Sequence, residues 1–239
     1  SDVNALGPLR LLEIIRHYKK KKIKFYQASS SEMFGKSKPP QNEKTLFQPR
    51  SVYAISKVFA YHSVIHYREA YGVHACNGIL FNHESPRRGV NFVTKKIVQG
   101  LVRIKQGKQK VLTLGNLYSK RDWGHAKDYV ESMWKILQQK EPNDFVIATK
   151  TSHSVKDFIN ICSKKLNINL VWKNRGLKEV GINKLTKKTI IKVDKKYFRE
   201  TEVDDLIGDF TKAKKLLKWK PKYSFNKLVD DMIYNELNG

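Results

Sequence analysis

Apolar residues recur at helical spacing from about Asn4 to Tyr18, where Leu6, Leu9, Leu12 and Ile15 share one face. Lys19–Lys22 follow, placed to meet the negative end of that helix's dipole. Ile23–Ser29 has the length of a strand, and Gly35–Arg50 reads as a loop punctuated by Pro39, Pro40 and Pro49. The pattern from Val52 to Tyr71 predicts a long helix that stops at Gly72, a residue suited to the left-handed turn after a helix. Val73–Phe81 is an apolar run of strand length, as expected of a buried parallel strand. Helix, strand, helix, strand at these spacings predict an α/β fold with a parallel sheet.

Beyond that strand, Asn82–Gly89 is a polar loop at a strand's C-terminal end, where α/β proteins bind ligands. A helix is expected over Phe92–Lys105, a strand or hairpin over Leu112–Asp122, a helix over His125–Gln139 and a short strand over Phe145–Thr149. After Ser154 the pattern becomes that of a smaller α/β unit. It has a helix near Val155–Lys165, strands near Leu170–Trp172 and Ile190–Val193, and helices over Thr211–Leu217 and Phe225–Leu237. None of the 13 glycines forms G-x-G-x-x-G, the phosphate cradle that normally follows the first strand of a dinucleotide-binding sheet.

The 239 residues, 40% of them hydrophobic, suffice for one large domain or two small ones. No apolar run reaches the roughly 18 residues of a membrane helix, and the start, Ser1-Asp2-Val3-Asn4, lacks the look of a signal peptide. A chain that opens on Ser1 rather than Met is expected to be a fragment. Cys76 and Cys162 stand alone, without metal-binding or disulfide spacing, and a cytoplasmic location is expected. The net charge of +25 raises the question of nucleic acid. Only 10 of the 47 basic residues are Arg, the lysines are scattered, and no nucleic-acid-binding signature is present. A lysine-biased solvated surface is therefore expected, one that still favours an anionic small molecule.

Candidate chemistry centres on Tyr26–Lys57. Tyr53 and Lys57 lie four apart on one helix face, downstream of a serine cluster and a carboxylate at a strand end. The same spacing at Tyr18/Lys22 and Tyr223/Lys227 reads as surface coincidence. A phenol titrates near 10 and one neighbouring cation lowers an acid by about 1–3 units, so a second positive charge such as an oxidised nicotinamide is needed to complete a phenolate base. Ser30 and Glu32, two apart on a strand, would face one side, where a hydroxyl can hold a substrate alcohol and a carboxylate can take a carbon-bound proton. A Ser-rich turn with a solvated Glu fits the same letters. His62 and His66 have helical metal-face spacing but no third ligand, so no metal is expected. His83 lies in the polar loop, with Arg87 and Arg88 beside it suited to phosphate or carboxylate.

Four stretches carry a family resemblance. They are Gln27-Ala28-Ser29-Ser30-Ser31-Glu32-Met33-Phe34-Gly35; Leu80-Phe81-Asn82-His83-Glu84-Ser85-Pro86-Arg87-Arg88-Gly89; Gly115-Asn116-Leu117 with Lys120-Arg121-Asp122-Trp123-Gly124-His125-Ala126-Lys127-Asp128-Tyr129-Val130; and Phe198-Arg199-Glu200-Thr201-Glu202-Val203-Asp204 with Gly208-Asp209. In order and over nearly the whole chain, they resemble the GDP-mannose 4,6-dehydratases of the extended short-chain dehydrogenase/reductase superfamily. The resemblance implies the C-terminal part of an NADP-binding Rossmann fold plus a smaller α/β sugar-nucleotide domain. The cofactor domain is expected over 1–90 with 110–150 returning to it, and the GDP-sugar domain over 91–109 and 151–239.

It also implies roles. Tyr53 takes the sugar 4-hydroxyl proton as hydride passes to NADP, Lys57 tunes Tyr53 and holds the nicotinamide ribose, and Ser30 supplies the strand-end hydroxyl where the family usually has Thr. Glu32 removes the C5 proton before water leaves C6 and the hydride returns there. His83 and Arg88 match cofactor contacts; Asn82, Lys96, Gly115, Arg121, Arg199 and Glu202 match GDP-sugar contacts. A homo-oligomer acting on GDP-mannose, without nucleic acid or membrane, is implied. The start resembles the family's fourth-helix region, so the first strands and glycine-rich loop are expected to be missing and the chain alone is expected not to retain NADP. The competing readings are a dehydratase or epimerase for another nucleotide sugar, a non-catalytic remnant, and a polybasic binding module.

Overall fold

A computed structural model describes residues 1–18, 23–198, 201, 203 and 205–239. The chain divides into two compact units: 1–83, 122–152 and 205–222 form the first, and 84–121, 153–204 and 223–239 the second.

In the first unit a π-helical turn, Asp2–Leu6, leads into α1, Gly7–His17. β1 spans Lys24–Ser30, α2 Val52–Tyr71 and β2 His74–Leu80. The Ser51 side chain accepts from the Ala54 amide and starts α2, and Gly72, at φ 64°, ends it. β1, β2 and Phe145–Ile147 form a parallel three-stranded sheet in register Ser30 with Leu80 and Leu80 with Ile147. Side chains alternate across a strand, and neighbours on β2 accordingly go to opposite cores. Ala75 packs with Leu12, Val64 and Tyr67 of α1 and α2. Cys76 packs with Tyr129 and Ile136 of helix Ala126–Leu137, and with Ala213, Leu217 and Trp219. Helices on both faces explain why the strands read as apolar runs rather than alternating ones.

The second unit is built on a four-stranded sheet ordered Leu112–Leu114, Thr189–Val193, Val180–Asn183, Leu170–Lys173; the first pairing is parallel and the others antiparallel. Helices Val93–Lys105, Val155–Lys165 and Phe225–Asn238 accompany it. Residues 84–90 and 110–121, expected with the cofactor domain, lie in this unit, the latter because Leu112–Leu114 pairs with Ile191–Val193. Residues 205–222, expected in the sugar domain, lie in the first unit, where Trp219 joins the core and donates its indole N–H to the Asp128 carbonyl at 2.9 Å. No described helix is long and apolar enough to cross a membrane.

Candidate active site

The C-terminal end of β1 turns sharply. Ser30 is the last strand residue, and its hydroxyl accepts from the Glu32 amide at 3.2 Å, capping a 3₁₀ turn over Ser31–Met33. Ser30 and Glu32 are therefore joined through a turn; the expectation of two strand positions on one face does not hold, because the Ser30 hydroxyl offers the backbone an alternative to the ladder. The turn is anchored by Met33 and Phe34, both fully buried, with Phe34 against Phe47 and Phe81 at ring separations of 5.3 and 6.0 Å. Behind it the Gln48 amide donates to Met33 O, and Gly35 at φ 52° runs so close to Gln48 that a Cβ would lie 1.8 Å from that residue's carbonyl oxygen. Only glycine fits there.

Tyr53 stands half-exposed on the first turn of α2, with Lys57 one turn on, its ammonium 5.7 Å from the Tyr53 ring centroid. Lys57 Nζ donates to the Ala28 carbonyl at 3.0 Å, and burial lowers its pKa below the ordinary lysine value. Thus the Tyr/Lys face is moored to the strand that ends in Ser30.

A network absent from the expectations holds α2 to the sheet. Arg68 donates to both oxygens of Asp144, at 2.9 and 2.8 Å. Asp144 Oδ1 also accepts from the Asn77 amide at 2.9 Å and its side chain at 3.0 Å, and Asn77 Oδ1 accepts from Ser29 at 3.0 Å. No spacing rule links Ser29, Arg68, Asn77 and Asp144; only the parallel register makes them neighbours.

After β2, the His83 ring stacks on Tyr129 with centroids 4.6 Å apart, and its Nδ1 lies 2.9 Å from Phe81 O. A carbonyl can only accept, so Nδ1 carries the hydrogen and Nε2 is the acceptor in the neutral ring. Asn82 is half-buried beside it and makes no side-chain hydrogen bond among the described residues.

In the second unit, the Arg88 guanidinium lies 3.0 Å from Glu84 through Nε and 3.4 Å over the Phe92 ring. Lys96 and Gly115 converge on Tyr197: the ammonium is 3.9 Å from its ring centroid, and a Cβ on Gly115 would lie 2.3 Å from its carbonyl oxygen. Tyr197 was not singled out by the sequence, though it directly precedes the Phe198 stretch. Arg121 is 9% exposed and donates through Nη1 to Lys120 O at 2.8 Å and Val203 O at 2.7 Å. Arg199 and Glu202 lie outside the described residues. A cavity of about 670 Å³ in this unit is lined by Tyr118, Lys156, Trp172, Arg175 and Glu179 among others, none of them an expected site residue. Its Glu179 carboxylate is already paired with Lys156 at 2.6 Å and Tyr118 at 2.8 Å.

The family model described as GDP-mannose 4,6 dehydratase matches residues 1–232. The chain is 52% identical to the GDP-mannose 4,6 dehydratase of Dictyostelium discoideum over 99% of its own length and 67% of the relative's. It is 50% identical to that of Homo sapiens, over 99% of this chain and 64% of the relative. For the Drosophila melanogaster relative, 51% identical, the coverages are 98% and 60%. The chain thus spans roughly two thirds or less of the length of these curated relatives. Its fold is similar to that of RMD from Pseudomonas aeruginosa complexed with NADPH, with a TM-score of 0.83 at 19% identity, over 99% of this chain and 74% of that one. It is also similar to dTDP-glucose 4,6-dehydratase from Bacillus anthracis in complex with NAD, with a TM-score of 0.80 at 20% identity, over 100% and 68%. These structural likenesses are of fold, and the identities to the curated relatives go further: the chain belongs to the GDP-mannose 4,6-dehydratase family.

Proposed function

We propose that the protein containing this chain converts GDP-mannose to GDP-4-dehydro-6-deoxymannose with a retained NADP. The observation that carries the reading is the mooring of the Tyr53/Lys57 face to the strand whose end presents Ser30 and Glu32. NADP suits the donors present: the Lys57 ammonium for ribose oxygens, the His83 ring, and the Arg88 guanidinium for phosphate. When bound, it supplies a hydride acceptor at C4 and a hydride donor at C6.

The chain's own groups supply the proton chemistry. The Tyr53 oxygen takes the proton of the sugar 4-hydroxyl, helped by the nearby positive charge of Lys57. Ser30, whose oxygen accepts from the Glu32 amide, still has its hydroxyl proton to donate to the C4 oxygen. A C4 carbonyl acidifies the C5–H, and the Glu32 carboxylate removes that proton as water leaves C6. That base separates a dehydratase from a simple 4-epimerase, whose reaction removes no C5 proton. In the second unit, Lys96 and Gly115 around Tyr197, with Arg121, are proposed to meet the GDP-sugar, the cations matching its diphosphate. Arg199 and Glu202 are proposed to share that task.

The free, buried thiols of Cys76 and Cys162 accord with a cytoplasmic protein. Exposed Leu11 and Ile14 on α1, with Ile55 and Phe59 on α2, accord with a homo-oligomer. Incubating the protein with GDP-mannose and following a 4-keto product by mass spectrometry tests the reading. Turnover of a UDP- or dTDP-sugar with GDP-mannose left intact would overturn it.

A further inference from the structure

Glu84 is a carboxylate 2% exposed, the last residue of the short strand Asn82–Glu84 that follows β2 and precedes helix Val93–Lys105. A charge taken out of water at such a position requires partners, and it has two on one oxygen. Oε2 accepts from the Thr94 hydroxyl at 2.6 Å and faces Arg88 Nε at 3.0 Å. Burial raises the Glu84 pKa, and Arg88 and Thr94 counter it.

Arg88 is gripped a second time, by the Phe92 ring 3.4 Å from its guanidinium carbon. The backbone between them is fixed as well: Arg88 N donates to Ser85 O at 3.0 Å and Phe92 N to Gly89 O at 3.1 Å. Among the described residues neither Nη of Arg88 makes a hydrogen bond or ion pair. A guanidinium held by Nε and by one face keeps its paired Nη edge, which matches two oxygens of a phosphate. Holding it beforehand moves the loss of rotamer freedom from binding to folding, which favours affinity.

We propose that Glu84 is a positioning residue that, with Phe92, aims the Nη edge of Arg88 at phosphate oxygens of the bound dinucleotide. This rests on the reading of Arg88 as a cofactor contact. Lysine at position 88 lacks both the planar face and the second edge, so Arg88→Lys loses the arrangement although it keeps the charge.

The test is NADP affinity of the full protein carrying this chain, titrated by fluorescence, for Arg88→Ala, Glu84→Gln and the double variant, with thermal unfolding alongside. Arg88→Ala is expected to weaken NADP binding. Glu84→Gln is expected to weaken it about tenfold, the scale of losing one close charge partner, and the double variant to bind no worse than Arg88→Ala alone. Unchanged affinity in Arg88→Ala overturns the reading of Arg88 itself. A loss in Arg88→Ala with none in Glu84→Gln, or losses that multiply in the double variant, overturns the positioning role. Should Glu84→Gln fail to fold, Phe92→Leu, at a half-exposed residue, carries the same comparison with the same outcomes.

Discussion

Lys57 reaches from the start of α2 to the carbonyl oxygen of Ala28, 3.0 Å away, and so fixes the distance between the Tyr53 face and the strand end that carries Ser30. A helix and a strand that contribute to one reaction need such a tie, because small displacements of reacting groups cost large factors in rate.

That tie separates the roles of the two residues. Tyr53→Phe removes only a hydroxyl, and is expected to lower turnover of GDP-mannose by roughly 10²–10⁴ with NADP affinity retained. Lys57→Met removes the bond to Ala28 as well, and is expected to lose turnover and NADP affinity together. Steady-state kinetics paired with NADP titration distinguish them; a Lys57→Met protein with parental NADP affinity contradicts the assignment.

Glu32→Gln keeps the shape of the turn but cannot take a proton. It is expected to slow formation of the 6-deoxy product by roughly 10²–10⁴ while oxidation at C4 continues, so a 4-keto hexose accumulates. Rapid quench followed by mass spectrometry reads this directly. Loss of C4 oxidation in step with product would place Glu32 elsewhere in the reaction.

The Arg68–Asp144 pair is the stability counterpart of the site, with side chains 17% and 10% exposed. Removing one partner of a buried pair leaves an uncompensated charge, so Arg68→Met is expected to cost about 3–5 kcal/mol. Asp144→Asn is expected to cost less, because its amide oxygen can still accept from Asn77. Chemical denaturation measures both, and equal losses contradict the account.

Asp122 gives a pH signature. Burial pushes its carboxyl up to about 6, although the amides of Thr149, Lys150 and Gly208 and the Thr149 hydroxyl all donate to it. A carboxyl whose folded pKa lies above its unfolded value keeps its proton longer when folded. Its contribution to stability is full below about pH 4 and declines as pH rises through about 6. Asp122→Asn does not titrate, so the parent's stability relative to it is expected to fall over that window, by at most about 1.4 kcal/mol per pH unit. Denaturation at several pH values checks the slope; a rise would contradict it.

Much of the site was legible because its residues are local in sequence. Tyr53 and Lys57 share a helix face by spacing alone, and Gly72 marked the helix end. What escaped were relations made by long-range pairing. Ser29, Arg68, Asn77 and Asp144 meet through the register of β1 and β2 and the chain following helix Ala126–Leu137. Val180–Asn183 was missed as a strand because Gly181 weakens the β pattern and lysines surround it; a Cβ on Gly181 would lie 2.9 Å from the Ile191 side chain, a closeness no local pattern reveals. The strand reading through Glu32 failed because the Ser30 cap ends β1 before Ser31.

The central claim is that one hydride leaves C4 and returns to C6 of the same sugar, with Glu32 handling the C5 proton between. GDP-mannose deuterated at C4, incubated with the protein in ordinary water and analysed by NMR, tests this most directly. The account predicts deuterium at C6 of GDP-4-dehydro-6-deoxymannose; product that carries no deuterium at C6 would contradict it.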